Sequence, residues 1–413
     1  MHSPSASTLP VSNMSATDDV PRSLSSTPRF YILDLVRLLA MLFMMQGHTL
    51  DALADPMILN IENFPWNIWH FVRGLTAPLF LMISGAVAVF ANKRDEYGMV
   101  SADTLIKRIR WGLWLLVIGY FLVFPANRIF DLPFVSPQGW AKFFQVNILQ
   151  LSGTTLILLM LVLGNTRSNQ RFAVVSGCLG LAILLATPAI HSAQWVKFLP
   201  LYIRNYLIPS GGSLFPLFPF SAYMFVGVVV GYALSQMPHA DRPQRFARFT
   251  LMYGAMFLSL GLISYLWTMY VPYRLLPKHN FFSSSPGFVV LRVGCALLVM
   301  YLLTHLYQWT QYIGDRFGKN LVGWYALLGG KSLHIYVGHL VILFGTPWFP
   351  GIATLPALGW GNTRGIGMSG VLAVAVIAVC LLGVILAERI TDERILRYAR
   401  YGAIAWALYV LLV

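Results

Sequence analysis

Apolar runs long enough to cross a lipid bilayer recur along this chain and leave it little choice of fold. About 20 helical residues span a hydrocarbon core of ~30 Å. Runs of that kind lie near 30–50, 74–91, 109–126, 146–165, 172–190, 216–235, 248–270, 286–309, 325–346 and 367–388, which makes ten. An eleventh, Tyr401–Val413, is short unless its helix begins earlier, near Thr391. Of the residues 57% are hydrophobic and only 11% charged, against about 25% charged in an average soluble domain. The expected fold is an all-α, polytopic integral membrane helix bundle with 10–11 transmembrane helices, forming a single transmembrane domain over 29–413 with no soluble domain inserted.

Charge then sets orientation. A formal net charge of +14 would suggest nucleic acid in a soluble chain. Here the basic residues fall in short loops between apolar runs, where they act as topology signals, so nucleic-acid binding is excluded. With the N-terminus in the cytoplasm, the inside loops and tail hold 19 of the 29 Lys and Arg, the outside loops hold 8, and Arg37 and Arg292 lie within spans. The strongest inside loop carries Lys93, Arg94, Lys107, Arg108 and Arg110, whereas the first outside loop carries Asp51, Asp55 and Glu62. The expected localisation is multi-pass, in a bacterial cytoplasmic (inner) membrane, with the N-terminus inside.

The first 28 residues are rich in Ser, Thr and Pro without apolar periodicity, and read as a disordered cytoplasmic tail. Arg29, the run Leu38 to Met45 and Ala52-Leu53-Ala54 imitate a cleaved signal, but Asp34 and Arg37 interrupt its hydrophobic core. In the outside loop near 190–215, Trp195, Phe198, Leu199, Tyr202, Ile203 and Tyr206 recur at helical spacing despite Pro200, which predicts an interfacial helix on the outer surface. The following "PSGGSLFPLFPF" predicts irregular backbone, either a loop or the wall of a wet cavity. Cys178, Cys295 and Cys380 each sit in an apolar segment without metal or redox spacing, so they read as small core residues. No metal is predicted.

Ionisable groups inside spans carry most of the functional information, because each costs on the order of 3 kcal/mol at the bilayer centre. Asp34 and Arg37 are three residues apart on span one, neighbours on one face and either an ion pair that clasps helices or part of a site. His48 lies eleven residues beyond Arg37. That interval is about three turns, with an angular drift of about 20° and a rise of roughly 16 Å. One face of span one thus carries a charged pair toward the cytoplasm and a histidine toward the outer surface. Arg292, six residues past Pro286 on a span entering from outside, belongs in the outer half near His48. On span nine Ser332, Tyr336 and His339 form one polar stripe, with helix packing as the competing reading. His334 points elsewhere, and His191, His239, His279 and His305 read as loop or interface residues.

The pattern "DLVRLLAMLFMMQGH", followed by "GLTAPLFLMISG" at span two, resembles the membrane acyltransferases of the acyltransferase-three family. Closer still, across nearly the whole membrane region, the chain resembles bacterial relatives of heparan-alpha-glucosaminide N-acetyltransferase. "ILQLSG", "SLFPLFPFSAYMFVGVVVGY", "SSSPGFVVLRVG" and "LLGGKSLHIYVGHLVILFG" follow in the matching order. The resemblance implies transfer of an acyl group, commonly acetyl from acetyl-CoA on the cytoplasmic side, to a hydroxyl or amine of a sugar or glycan outside. In lysosomal members of that family the position of His48 is typically Asn, and the catalytic histidine lies in the following loop, before "GLT" and an acid. Here His70 precedes Gly74-Leu75-Thr76 but the acid is missing, while the acyltransferase-three pattern puts its histidine at His48. His48 therefore ranks first as the catalytic base and His70 second.

Acyl transfer from a thioester needs a base for the acceptor and hydrogen-bonding or positive groups for the oxyanion. Histidine suits the first role, since its ordinary pKa lies near neutrality. Arg292 or backbone donors suit the second. Asp34, Arg37, Ser332, Tyr336 and His339 are the candidates for substrate and donor binding, with Arg37 placed to meet the donor's phosphates. The partners expected are an acyl-CoA donor, a sugar or glycan acceptor and membrane lipid, with a homodimer left open.

Other enzyme classes lack support. "GGKS" at Gly329 to Ser332 imitates a phosphate loop, but Gly323 and Gly330 are separated by six residues where four are needed. HExxH and GxSxG are absent. The competing class is a small-molecule or lipid transporter using alternating access, which many spans with buried charges permit. No inverted repeat relates the two halves, and the His/Arg motifs cluster at spans one, two, eight and nine, which favours the enzyme.

Overall fold

A computed structural model describes residues 30–209, 212–271, 280–317, 321–390 and 392–412. The tail expected over 1–28 lies outside the described residues, as does Thr391. Among the described residues the regular structure is helical. It begins with α1 (Tyr31–Leu53), then α2 (Trp66–Arg73) and α3 (Thr76–Phe90), which together make one span. Helices α4 (Ala102–Leu122), α5 (Pro137–Phe143), α6 (Ile148–Gly164), α7 (Asn169–Ser192) and α8 (Leu201–Leu207) follow. The second half holds α9 (Leu217–Ser235), α10 (Arg242–Tyr270), α11 (Phe281–Ser284) and α12 (Pro286–Phe317). It closes with α13 (Leu321–Gly330), α14 (Ser332–Phe344), α15 (Ile366–Glu388) and α16 (Glu393–Leu412). Serines start several helices by accepting a bond from an otherwise orphaned backbone N–H: Ser101 from Thr104, Ser136 from Gly139 and Ser168 from Arg171.

A helix stands at each of the eleven places expected. Seven segments are by themselves long and apolar enough to cross a membrane, and the bent pairs α5/α6 (51°) and α13/α14 (64°) bring the number to nine among the described residues. Helix α4, with Lys107, Arg108 and Arg110 in its first half, and α16, with Arg394 and Arg397, are interrupted by charge and are not among those nine. The last helix does begin well before Tyr401, at Glu393.

The segments divide into a buried centre and a lipid-facing rim. In α1 and in Trp66–Phe90 67% of the spanning window is buried, in α9 61% and in α12 56%, against 22% in α15 and 17% in α10. The central helices meet through glycines. A Cβ on Gly85 of α3 would strike the Met224 backbone of α9, and one on Gly227 of α9 would lie 2.7 Å from the Met82 carbonyl carbon of α3. With lipid as apolar as leucine, such close backbone approach supplies dispersion contacts that a hydrophobic force cannot.

Two expectations change in form. The span expected as one continuous helix over 325–346 is broken at Lys331. Gly329 packs against the Asp34 backbone, where a side chain would collide, and the Gly329-Gly330 pair lets the chain turn there. The interfacial helix resolves into a 3₁₀ turn over Gln194–Phe198 and α8, divided at Pro200, with Trp195, Phe198 and Tyr202 exposed. The irregular stretch before α9 persists into its first turn, where Phe218 keeps an extended conformation.

Candidate active site

At the end of the bundle where α1 finishes, the helix termini surround a cavity of about 1110 Å³, large for a ligand pocket. His48, His70, Arg292 and Tyr336 all line it, from α1, α2, α12 and α14. These four positions come from four separate helices and meet at one cavity. Asp51, Arg73 and Lys142 also face the space, so three cations and one carboxylate give it a positive balance.

His48 is half-buried on the cavity wall, four residues before Ala52, near the end of α1. Its Nδ1 lies 2.9 Å from Nε2 of His339, and the two rings are nearly coplanar, with planes 21° apart and centroids 5.2 Å apart. His339 is fully buried in α14, and its own Nδ1 lies 3.2 Å from the Ile335 carbonyl one turn earlier. Tyr336 presents its ring edge-on to His339, with centroids 5.2 Å apart. The polar stripe expected on span nine is therefore divided. Tyr336 and His339 join His48, whereas half-buried Ser332 sits at the helix break and does not line the cavity.

Arg292 also lines the cavity. Its guanidinium carbon lies 4.3 Å from the centre of the Phe288 ring, one turn earlier on α12. Its buried Nε meets no hydrogen-bond partner among the described residues. Gly74 makes room for the other end of the group, since a Cβ there would lie 3.0 Å from an Arg292 terminal nitrogen. The "GLT" motif thus has a steric reason for its glycine.

His70 is exposed on α2, at the rim. Next to it Arg73 pairs with Asp51 and lies over the Trp69 ring, 4.9 Å from its centre. The Arg73 stem rests on Gly47, where a Cβ would come within 2.7 Å. Trp69 Nε1 donates to Gln46 Oε1 at 3.3 Å. These contacts tie α2 to the end of α1 and hold His70 over the cavity mouth.

Asp34, buried, and Arg37, half-buried, lie in the first half of α1 and do not line the cavity. Sequence reasoning singled out neither Arg73 nor Gln150. Gln150 is fully buried at the start of α6 and borders the cavity, packed against Gly119, and neither of its amide atoms has a hydrogen-bond partner. The signal for Gln150 was present in "ILQLSG", as the one amide in an apolar helix start. For Arg73 it was the cation following the acidic turn that holds Asp51. Among the described residues no three His, Cys, Asp or Glu side chains gather as a metal site would.

Curated proteins give no match to this chain. The family model described as heparan-alpha-glucosaminide N-acetyltransferase, catalytic, matches residues 29–268. That stretch contains α1 to α9 and most of α10, hence His48, His70, Arg73 and Gln150, and it ends before Arg292, Tyr336 and His339. A match over more than half of the 413 residues, in an all-helical membrane bundle with histidine and arginine at one cavity, places the protein in the heparan-alpha-glucosaminide N-acetyltransferase catalytic family, as a multi-pass membrane acetyltransferase.

Proposed function

We propose that the protein transfers an acetyl group from acetyl-CoA, supplied at the cytoplasmic face, to a hydroxyl or amine of a sugar or glycan on the outer side of a bacterial inner membrane. The observation that carries this reading is the meeting of His48 and Arg292 at one cavity large enough for both reacting groups. The excess of Lys and Arg in the inside loops supports an inside N-terminus, which puts the cavity at the outer end of α1. Asp34, Arg37 and Ser332, outside the cavity, are assigned to the donor's approach from within. His48 also stands where the acyltransferase-three pattern keeps its histidine.

The chemistry balances without a further reactant. As the acceptor oxygen or nitrogen forms its bond to the thioester carbonyl carbon, His48 takes the acceptor's proton. The carbonyl oxygen gains negative charge, which the Arg292 guanidinium is placed to stabilise. The carbon–sulfur bond then breaks, and the proton held on His48 leaves with the sulfur as the CoA thiol. The products are the acetylated acceptor and free CoA.

The test is the purified protein with labelled acetyl-CoA and a panel of sugars. Label appearing in a sugar, dependent on His48, supports the reading. Sugar flux across proteoliposomes without acetyl-CoA turnover would replace it with a carrier.

A further inference from the structure

We propose that His339 is a positioning residue, which holds His48 with its proton on Nδ1 and so leaves Nε2 bare toward the cavity. The inference rests on the acetyltransferase reading for its consequence, but its geometry stands independently. A carbonyl oxygen can only accept, so the contact between His339 Nδ1 and the Ile335 carbonyl at 3.2 Å requires the proton on that nitrogen. A neutral His339 then has a lone pair on Nε2. The group facing that lone pair, His48 Nδ1 at 2.9 Å, must donate. A neutral His48 consequently carries no proton on Nε2, its one remaining nitrogen.

The other arrangements each cost something. Moving the His339 proton to Nε2 would set two lone pairs against each other at Ile335 and put a proton on the His48 nitrogen that has to act as base. A doubly protonated His339 would be a buried cation at a site with no exposure. When His48 accepts a proton during turnover, its Nδ1–H still points at His339 Nε2, so no bond has to be remade. The arrangement follows the logic of the catalytic triads, in which a third group orients the base. A neutral ring takes the place of the usual carboxylate. His339 also lies outside the stretch matched by the family model, so the family match itself gives it no role.

Nitrogen NMR of the full-length protein in lipid bilayers, with ¹⁵N-labelled histidine, reads the tautomers directly. Signals are assigned from His48→Asn and His339→Leu spectra. Both rings are expected with protonated Nδ1 and bare Nε2, and with a coupling across the shared hydrogen bond. In His339→Leu, His48 should drift to the Nε2–H form and kcat should fall roughly 10- to 100-fold, with acceptor KM within about twofold if substrate contacts survive. Glutamine places an accepting oxygen near the position of Nε2, so His339→Gln should keep the Nδ1–H form of His48 and recover most of kcat. A wild-type His48 found protonated on Nε2, or cationic, overturns the proposal even if the leucine variant fails to fold. So does full kcat in His339→Leu, or a glutamine variant no better than leucine. If wild type transfers no acetyl group, the functional reading fails, and the tautomer assignment stands or falls on the spectrum alone.

Discussion

Removing the His48 imidazole takes from the cavity its half-buried nitrogen base while leaving a helix end whose packing is carried by Met44, Met45, Leu50 and Leu53, all buried. His48→Ala should therefore abolish acetyl transfer, on the order of 10²- to 10⁴-fold, with the detergent unfolding temperature near that of wild type. His70 is exposed at the rim, and His70→Ala should cost much less. The reverse order in the same assay would move the base to His70. Gln150 separates structure from recognition more sharply. A buried amide without partners costs roughly 1–3 kcal/mol, so Gln150→Leu should raise the unfolding temperature of the empty protein. If the amide awaits an acceptor hydroxyl, the same variant should also raise acceptor KM with kcat little changed. A stabilised variant with unaltered KM would leave Gln150 a packing residue.

At the scale of elements, the site depends on α3 and α9 lying close enough for their ends to share one cavity with α1. Gly227 is where that closeness can be tested, because a side chain there meets the Met82 main chain, which cannot swing aside as a side chain would. Gly227→Leu should lower the unfolding temperature by several degrees and reduce activity with it. Gly383→Leu, on lipid-facing α15 with nothing near its missing Cβ, should change neither. The same elements show what a sequence can disclose. Spans are legible because the lipid makes an apolar stretch obligatory, and Asp34, Arg37, His48 and Arg292 stood out because a charge or imidazole inside such a stretch is costly. The break at Lys331 was hidden, since apolar residues continue on both sides of it and the reason for it, Gly329 against Asp34, lies on a different helix. The pairing of His48 with His339 was hidden for the same reason: 291 residues separate the partners, and neither periodicity nor composition encodes which helices touch.

At the scale of the whole molecule, function depends on which face of the membrane each end of the bundle meets. The cavity opens among the ends of α1, α4 and α14 and the starts of α3, α6, α9 and α12. The basic loop after α3 lies at the opposite end, where Arg94 is tied down by Asn169 Oδ1 at 2.8 Å and by the Gly98 carbonyl at 2.8 Å. If the N-terminus is inside, an impermeant thiol reagent applied to intact cells should reach the cavity end and not the basic end. The native cysteines are first removed as Cys178→Ala, Cys295→Ala and Cys380→Ala, because Cys178 is itself exposed. In that background Met57→Cys, beside the acidic turn and 84% exposed, should label readily. Glu96→Cys, also exposed but at the other end, should label only after the membrane is permeabilised. The two sites have to exchange behaviour if the orientation is reversed. In that case His48 would face the cytoplasm beside the soluble acetyl-CoA pool, no acetyl group would need to cross the bilayer, and the acceptor would have to be an intracellular one.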